Sequence, residues 1–93
     1  MSVNSPVLLQ VTIGATATQF TSTATPCRQI LIQNNASHNF RVGDSTVSST
    51  KGILITTGGG SINSGRSADY GTDVSGWWVF GTQNDVVDVL YIP

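Results

Sequence analysis

Apolar and polar residues alternate along short segments of this chain, and Gly, Asn, Asp or Pro separates one segment from the next. In residues 6–13, the alternation places four apolar side chains on one side of an extended strand: Val7, Leu9, Val11 and Ile13. No window of ten residues repeats apolar positions at the three-and-four spacing of a helix. The pattern therefore predicts an all-β chain.

Strand signals of this kind recur eight times, and we predict strands near residues 6–13, 16–22, 28–34, 39–42, 53–57, 61–63, 76–81 and 86–92. About eight short strands separated by turn residues are typical of a small antiparallel β-sandwich or jelly roll. A small antiparallel barrel is the second possibility. The 93 residues predict a single domain, residues 1–93.

Charge is unusually sparse in this chain. Only 10% of the residues are charged, Glu is absent, and the formal net charge is −1, whereas about 25% is usual. The four basic residues are scattered, so we expect no nucleic-acid partner and no anionic membrane partner. The N-terminal residues have no Lys or Arg before a short apolar run, so neither a signal peptide nor a transmembrane span is expected.

The core of so small a domain is expected to be thin. A single cysteine, Cys27, allows no internal disulfide, and no Cys/His cluster suggests a structural metal or any cofactor. Small scaffolds without these supports lean on self-association. We therefore expect a homo-oligomer, or a protein that docks onto a larger assembly.

A catalytic group can be imagined from His38, Arg41, Asp44 and Ser45. On a strand, however, Arg41 would point away from His38. Asp44 and Ser45 fall in a Gly-Asp-Ser turn, where both side chains commonly bond the local backbone. No base with an orienting partner is evident, so we do not expect an enzyme.

Residues 60–67, "GSINSGRS", nearly follow the spacing of a phosphate-binding loop, with Arg66 at the lysine position. Such a loop must open a helix, and no helical pattern follows. A glycine-rich loop around a short strand is the favoured interpretation.

Two further sets of residues are weak candidates for a functional site. Asp69 and Asp73 lie in a predicted loop and are a candidate cation site, although their spacing is not that of a dedicated Ca²⁺ loop. Cys27 follows Pro26, and its simplest role is a small buried apolar residue. As a nucleophile it would need His38 as its base.

The segment "GWWVFG", residues 76–81, is the most informative stretch. Alternation places Trp77 and Val79 on one face of a strand, and Trp78 and Phe80 on the other. Because each sheet of a two-layer sandwich has one wet face, one of these pairs is expected to meet solvent. Exposed aromatic pairs usually mark interaction sites. Cover by the loop at residues 65–75 is the alternative.

The last predicted strand supports the same idea. Val87, Val89 and Tyr91 form one apolar face, and the opposite face contains Leu90 and Ile92 with one charged residue between apolar ones. Nearly continuous apolar runs indicate burial on both sides. We predict interface roles for five residues: Trp77, Trp78, Phe80, Leu90 and Ile92.

Four segments in order resemble small virion proteins of tailed bacteriophages: "ILIQNN", "FRVGDSTVSSTKGILI", "GGGSI" and "GWWVFGTQNDVVDVLYIP". The resemblance covers roughly residues 28–92. It implies a non-enzymatic structural protein of the virion, most like a head decoration or cement protein. It also implies a homotrimer that binds the major capsid protein or another virion protein and braces the shell.

Two other roles stay open at this point. A tail or baseplate adaptor, or a fibre-base module, needs the same compact β-domain with adhesive faces. A carbohydrate-binding β-sandwich module is the alternative from another class, since exposed Trp side chains stack on sugars.

Overall fold

The computed structural model describes residues 5–65 and 71–93. Within them the chain forms ten β-strands and one short 3₁₀ turn at Val74–Gly76. The strands are β1 (Val7–Thr12), β2 (Thr18–Gln19), β3 (Pro26–Cys27), β4 (Gln29–Asn34), β5 (Phe40–Gly43), β6 (Ile53–Ile55), β7 (Gly60–Gly65), β8 (Thr72–Asp73), β9 (Trp78–Phe80) and β10 (Val86–Ile92). None of the described helical segments is long and apolar enough to cross a membrane.

The strands form two four-stranded antiparallel sheets and one two-stranded ribbon. Sheet A has the order β1-β10-β4-β7, and sheet B has the order β2-β9-β5-β6. The ribbon pairs β3 with β8. All these pairings are antiparallel. The prediction of a small antiparallel β-sandwich is therefore confirmed.

The order of pairing makes the sandwich a jelly roll. The first half of the chain pairs with the second half in nested fashion: β1 with β10, β2 with β9, β3 with β8, β4 with β7, and β5 with β6. The chain is thus one long antiparallel hairpin whose tip is the loop at residues 44–52. Contacts of β10 with β4 and of β5 with β9 roll this hairpin into two layers.

The inner faces of both sheets supply the core. Alternation along β4 buries Ile30 and Ile32, and alternation along β10 buries Val87 and Val89. Sheet B and the flanking segments contribute the remaining large apolar side chains, which include Ile13, Phe20, Phe40, Val42, Ile55, Val74 and Val79. Packing between the two faces supplies the main apolar burial of the domain.

Asn34 is the one polar residue among the fully buried side chains of the described residues. Its amide nitrogen donates to the carbonyls of His38 and Ile55, both at 2.9 Å, and its oxygen accepts from the Ala36 N–H at 2.9 Å. Since β4 belongs to sheet A and β6 to sheet B, this side chain joins the two sheets. Its buried polar atoms are satisfied, as burial requires.

Candidate interaction surfaces

Three leucines form a row across the outer face of sheet A. Leu8 lies directly opposite Leu90, and Leu90 lies directly opposite Leu31, so the row crosses β1, β10 and β4. Leu8 is 70% exposed, and the other two are partly exposed. We call these three residues the leucine row. Neighbouring strands place directly opposed side chains about 5 Å apart, so the row is a continuous apolar strip.

A polar border follows the leucine row on one side. Asp88 accepts hydrogen bonds from Gln10 at 2.9 Å and from Asn35 at 3.0 Å, and Asn35 also donates to Gln33 at 3.2 Å. The hydrogen bonds from the Asn35 and Gln10 side chains lower the pKa of Asp88 below its usual value. The only carboxylate on this face within the described residues is therefore ionised at neutral pH and held in a fixed network.

The other side of the row is more apolar. Ile92 lies next to Leu90 on the same face, and a shallow depression is lined by Ile92, Leu90, Leu31, Gln29 and Asn63. A second shallow depression lies between the leucine row and the polar border. Because of these two depressions the face is not flat. A partner with projecting apolar side chains can fill them.

The outer face of sheet B carries the predicted aromatic pair. Trp78 lies opposite Gly43, and Phe80 lies opposite Arg41; both aromatic side chains are partly exposed. Arg41 donates to the carbonyls of Gly52 at 2.9 Å and Ser49 at 3.2 Å, which holds the loop at residues 44–52 against this face. The aromatic pair is thus divided from the exposed Leu54 of β6 by a polar side chain.

Trp77 has a different environment from Trp78. The pattern predicted a strand over residues 76–81, but strand β9 begins at Trp78, so Trp77 lies at the end of the 3₁₀ turn and outside the strand. Its ring stacks with Phe20 at 6.5 Å between centroids, and its indole N–H donates to the Thr72 hydroxyl at 2.8 Å. Trp77 is partly buried against the core, and its polar atom is already used inside the protomer.

The five residues predicted for an interface therefore divide into three groups. Trp78 and Phe80 lie on the outer face of sheet B, Leu90 and Ile92 lie on the outer face of sheet A, and Trp77 packs against the core. A single flat partner cannot contact both outer faces at once. The two tryptophans also share no face, so they do not form one stacking platform for a sugar.

The imagined catalytic residues have separate partners. His38 lies in the loop before β5 and pairs through Nδ1 with Asp85 Oδ2 at 2.8 Å. The carboxylate of Asp44 accepts from the backbone N–H and the hydroxyl of Thr46, which lowers its pKa. Arg41 bonds loop carbonyls instead. The turn interpretation therefore accounts for Asp44, and Ser45 lies in the same turn.

The phosphate-loop resemblance fails on backbone conformation. Gly60–Gly65 forms strand β7, paired with β4, and does not open a helix. Residues 66 and 67 lie outside the described residues.

Asp73 and Cys27 both have structural roles. Asp73 Oδ1 accepts from the Ser75 hydroxyl at 2.7 Å, the Ser75 N–H at 2.9 Å and the Thr25 N–H at 2.8 Å. Asp69, the other half of the suggested cation site, lies outside the described residues. Within residues 5–65 and 71–93, no three His, Cys, Asp or Glu side chains are grouped as metal ligands. Cys27 is fully buried, and burial raises the pKa of its thiol.

Leu8 and Leu31 were missed as candidate surface residues from sequence. Each interrupts an otherwise polar side of its strand, since Leu8 shares a face with Gln10 and Leu31 shares a face with Gln29 and Gln33. That interruption was the available signal. Recognising a row requires the register between distant strands, which alternation within one strand does not provide.

No protein-family model matches this chain, and no curated protein and no solved structure matches it either. The surfaces described above are therefore the basis for a functional argument.

Proposed function

We propose that this chain is a non-enzymatic structural protein of a tailed-bacteriophage virion, a decoration protein that binds the outer surface of the head and stabilises the shell. It acts as a homo-oligomer, for which the resemblance to phage virion proteins implies a trimer. The observation that carries the proposal is the leucine row. An exposed apolar strip across three strands is characteristic of a surface that a partner covers.

The chemistry of the row favours a large protein partner. On one side, the row is bordered by amides and one carboxylate that bond each other, so the apolar strip has a polar rim there. Protein interfaces combine an apolar centre with such a rim. Sparse charge over the whole chain also suits a protein that spends its time covered by neighbours. The major capsid protein is the proposed partner.

The mechanism is linkage between binding and shell stability. A protein that binds the assembled shell and not the free subunits stabilises the shell, by about 2.7 kcal/mol per site at a free concentration one hundred times the Kd. Because the sites repeat on a symmetric lattice, weak contacts act together.

The proposal is tested with particles of the phage that encodes the chain. Heads that lack the chain are expected to release DNA at a lower temperature than complete heads. Added purified chain is expected to bring the release temperature back to that of complete heads. Leu8→Ser should weaken binding to these heads at least about tenfold, since it removes an apolar side chain that a partner would bury. Ile53→Ser is the matched control, because Ile53 is 58% exposed but lies on the edge of sheet B.

The location of the chain in purified particles decides between the related roles. Electron cryomicroscopy density on the head supports decoration, whereas density only at the tail or baseplate supports an adaptor or fibre-base module. Absence from purified particles, together with specific binding on a glycan array, would instead identify a carbohydrate-binding module.

A further inference from the structure

Strand β1 is an open edge of sheet A. It pairs with β10 on one side, and no strand of the described residues lies on its other side. Its six residues, VLLQVT, contain no charge and no proline, and Val7 and Leu8 are 39% and 70% exposed. Long edges are usually protected by charge, proline or a bulge, because unpaired backbone groups attract another strand. This edge has none of those protections.

The unpaired backbone groups can be assigned to particular residues. The Ile13 N–H donates to the Asp85 carbonyl at 2.9 Å, and the Ile13 carbonyl accepts from Asn84 at 2.8 Å, so both groups of Ile13 face the β10 side. Along an antiparallel strand, the backbone N–H and C=O groups of successive residues point alternately toward one neighbouring strand and toward the opposite side. The N–H and C=O groups of Leu8, Gln10 and Thr12 therefore point away from β10. No hydrogen bond to these outward groups is formed within residues 5–65 and 71–93.

We propose that two copies of this chain pair antiparallel through their β1 edges, about a two-fold axis that passes between the two Gln10 residues. In this register Gln10 lies opposite Gln10, and Leu8 lies opposite Thr12. Every outward N–H and C=O of the three residues then finds a partner. Residues that share a face in one copy also meet residues of the same face in the other, as a two-fold axis normal to the sheet requires.

A second copy fits this edge better than an unrelated strand for two reasons. In the two-fold register all three outward residues of β1 are paired with residues of the second β1, and the absence of charge removes repulsion between the two identical strands. The other edges are poorer templates. Strands β2 and β6 have two and three residues, and β7 has Gly at both ends with polar residues between apart from Ile62.

This pairing is separate from the proposed virion role. It uses the edge of sheet A, whereas the leucine row lies on its face. A three-fold contact through another surface can coexist with it, and the assembly then contains an even number of copies. A dimer or hexamer is expected. A trimer contradicts the β1 pairing while leaving the proposed function intact, whereas a monomer contradicts both the β1 pairing and the proposed homo-oligomer.

Cysteine cross-linking tests the register directly. Directly opposed residues in a hydrogen-bonded antiparallel pair have Cα atoms about 5.5 Å apart, which a disulfide can bridge. The native Cys27 is buried, so Gln10→Cys adds the accessible thiol. Mild oxidation should convert Gln10→Cys into a covalent dimer.

Ser61→Cys is the matched control, since Ser61 is exposed, lies in the same cross-strand row as Gln10, and occupies the opposite edge of sheet A. It should stay unlinked. Failure of Gln10→Cys to cross-link, or equal cross-linking of both variants, would refute the pairing. Cross-linking only in a mixture of the two variants would indicate head-to-tail pairing of β1 with β7 and would also overturn the two-fold arrangement.

A backbone test complements the cross-link. Gln10→Pro removes an outward N–H without touching the ladder to β10, and proline is tolerated at such edge positions. Gln10→Thr keeps the N–H and loses the same side-chain contact with Asp88. In analytical ultracentrifugation, Gln10→Pro should raise the dissociation constant at least about tenfold relative to Gln10→Thr. Equal constants for two folded variants would disprove the proposal, and the cross-link decides if Gln10→Pro does not fold.

Discussion

The indole N–H of Trp77 donates a hydrogen bond to the hydroxyl of Thr72 at 2.8 Å, which connects the residue before β9 to strand β8. The same ring stacks on Phe20, so Trp77 joins the ribbon of β3 and β8 to the core. Its neighbour Trp78 has its side chain on the outer face of sheet B. Two adjacent tryptophans therefore have different roles.

We expect Trp77→Ala to lower the free energy of unfolding by about 3 kcal/mol, because it removes a large ring that packs against the core. Trp78→Ala should cost only about 1 kcal/mol of stability, because its side chain is partly exposed on the outer face of sheet B, but it should reduce self-association through that face. Denaturant unfolding measures the loss of stability, and native mass measures self-association. Equal losses of stability in the two variants would mean that Trp78 also belongs to the core.

Among the polar residues of the fold, Asn34 is expected to cause the largest loss of stability when it is substituted. Asn34→Ala leaves the buried carbonyl of Ile55 without its amide donor and removes a link between the sheets, so the free energy of unfolding should fall by about 3 kcal/mol. Asn63→Ala, on the exposed side of β7, is the control and should change stability by less than about 0.5 kcal/mol. Similar losses in both variants would contradict the role assigned to Asn34.

Gly81 marks a close approach between the end of β9 and β5. A Cβ atom at this position would lie 2.8 Å from Cβ of Phe40 and 3.2 Å from Cδ1 of Ile13, and both residues are buried. Gly81→Ala should therefore destabilise the protein by about 1–3 kcal/mol in thermal unfolding. Gly76→Ala is the control, because a Cβ there meets nothing within 4 Å. Unchanged stability of Gly81→Ala would show that the two strands separate easily.

The stability of the fold should depend on pH because of Asp73. Hydrogen bonds from the Ser75 side chain and from the backbone N–H groups of Thr25 and Ser75 lower the pKa of Asp73 in the folded state. Its stabilising contribution is therefore complete above the unfolded pKa of about 3.9 and is lost as the pH falls through the lower folded pKa.

Asp73→Asn tests this dependence, since the variant does not ionise. The melting temperature of the variant should be lower than that of the native protein at pH 7, and the difference should shrink as the pH falls toward about 2. Thermal unfolding followed by circular dichroism at several pH values measures it. A difference that stays constant over this range would mean that the charge of Asp73 contributes no stability.

The longest strands were predictable from sequence, and the shortest were not. The predicted strands at residues 28–34 and 86–92 contain β4 and β10. Ile, Leu or Val residues are frequent in each segment, and this composition favours a strand over a helix. Strands β3 and β8 have two residues each, with Pro26 and Asp73 among them, so they carry no periodic signal. Their pairing is a consequence of the nested chain path, and not of local preference.

The candidate surface was only half predictable for a related reason. Leu90 and Ile92 were identified because β10 is apolar on both faces. Leu8 and Leu31 become part of the same surface through the register of three strands that are distant in sequence. That register follows from the tertiary packing of the inner faces, which no single segment contains.

The nested pairing has a consequence for how the chain folds. The loop at residues 44–52 is the shortest closure among the nested pairs, so bringing β5 to β6 costs the least chain entropy. Once that hairpin exists, each outer pair needs only a short further closure, and the chain can zip from the middle toward both ends. A circular permutant that opens residues 44–52 should therefore fold more slowly than one whose new ends lie between β1 and β2.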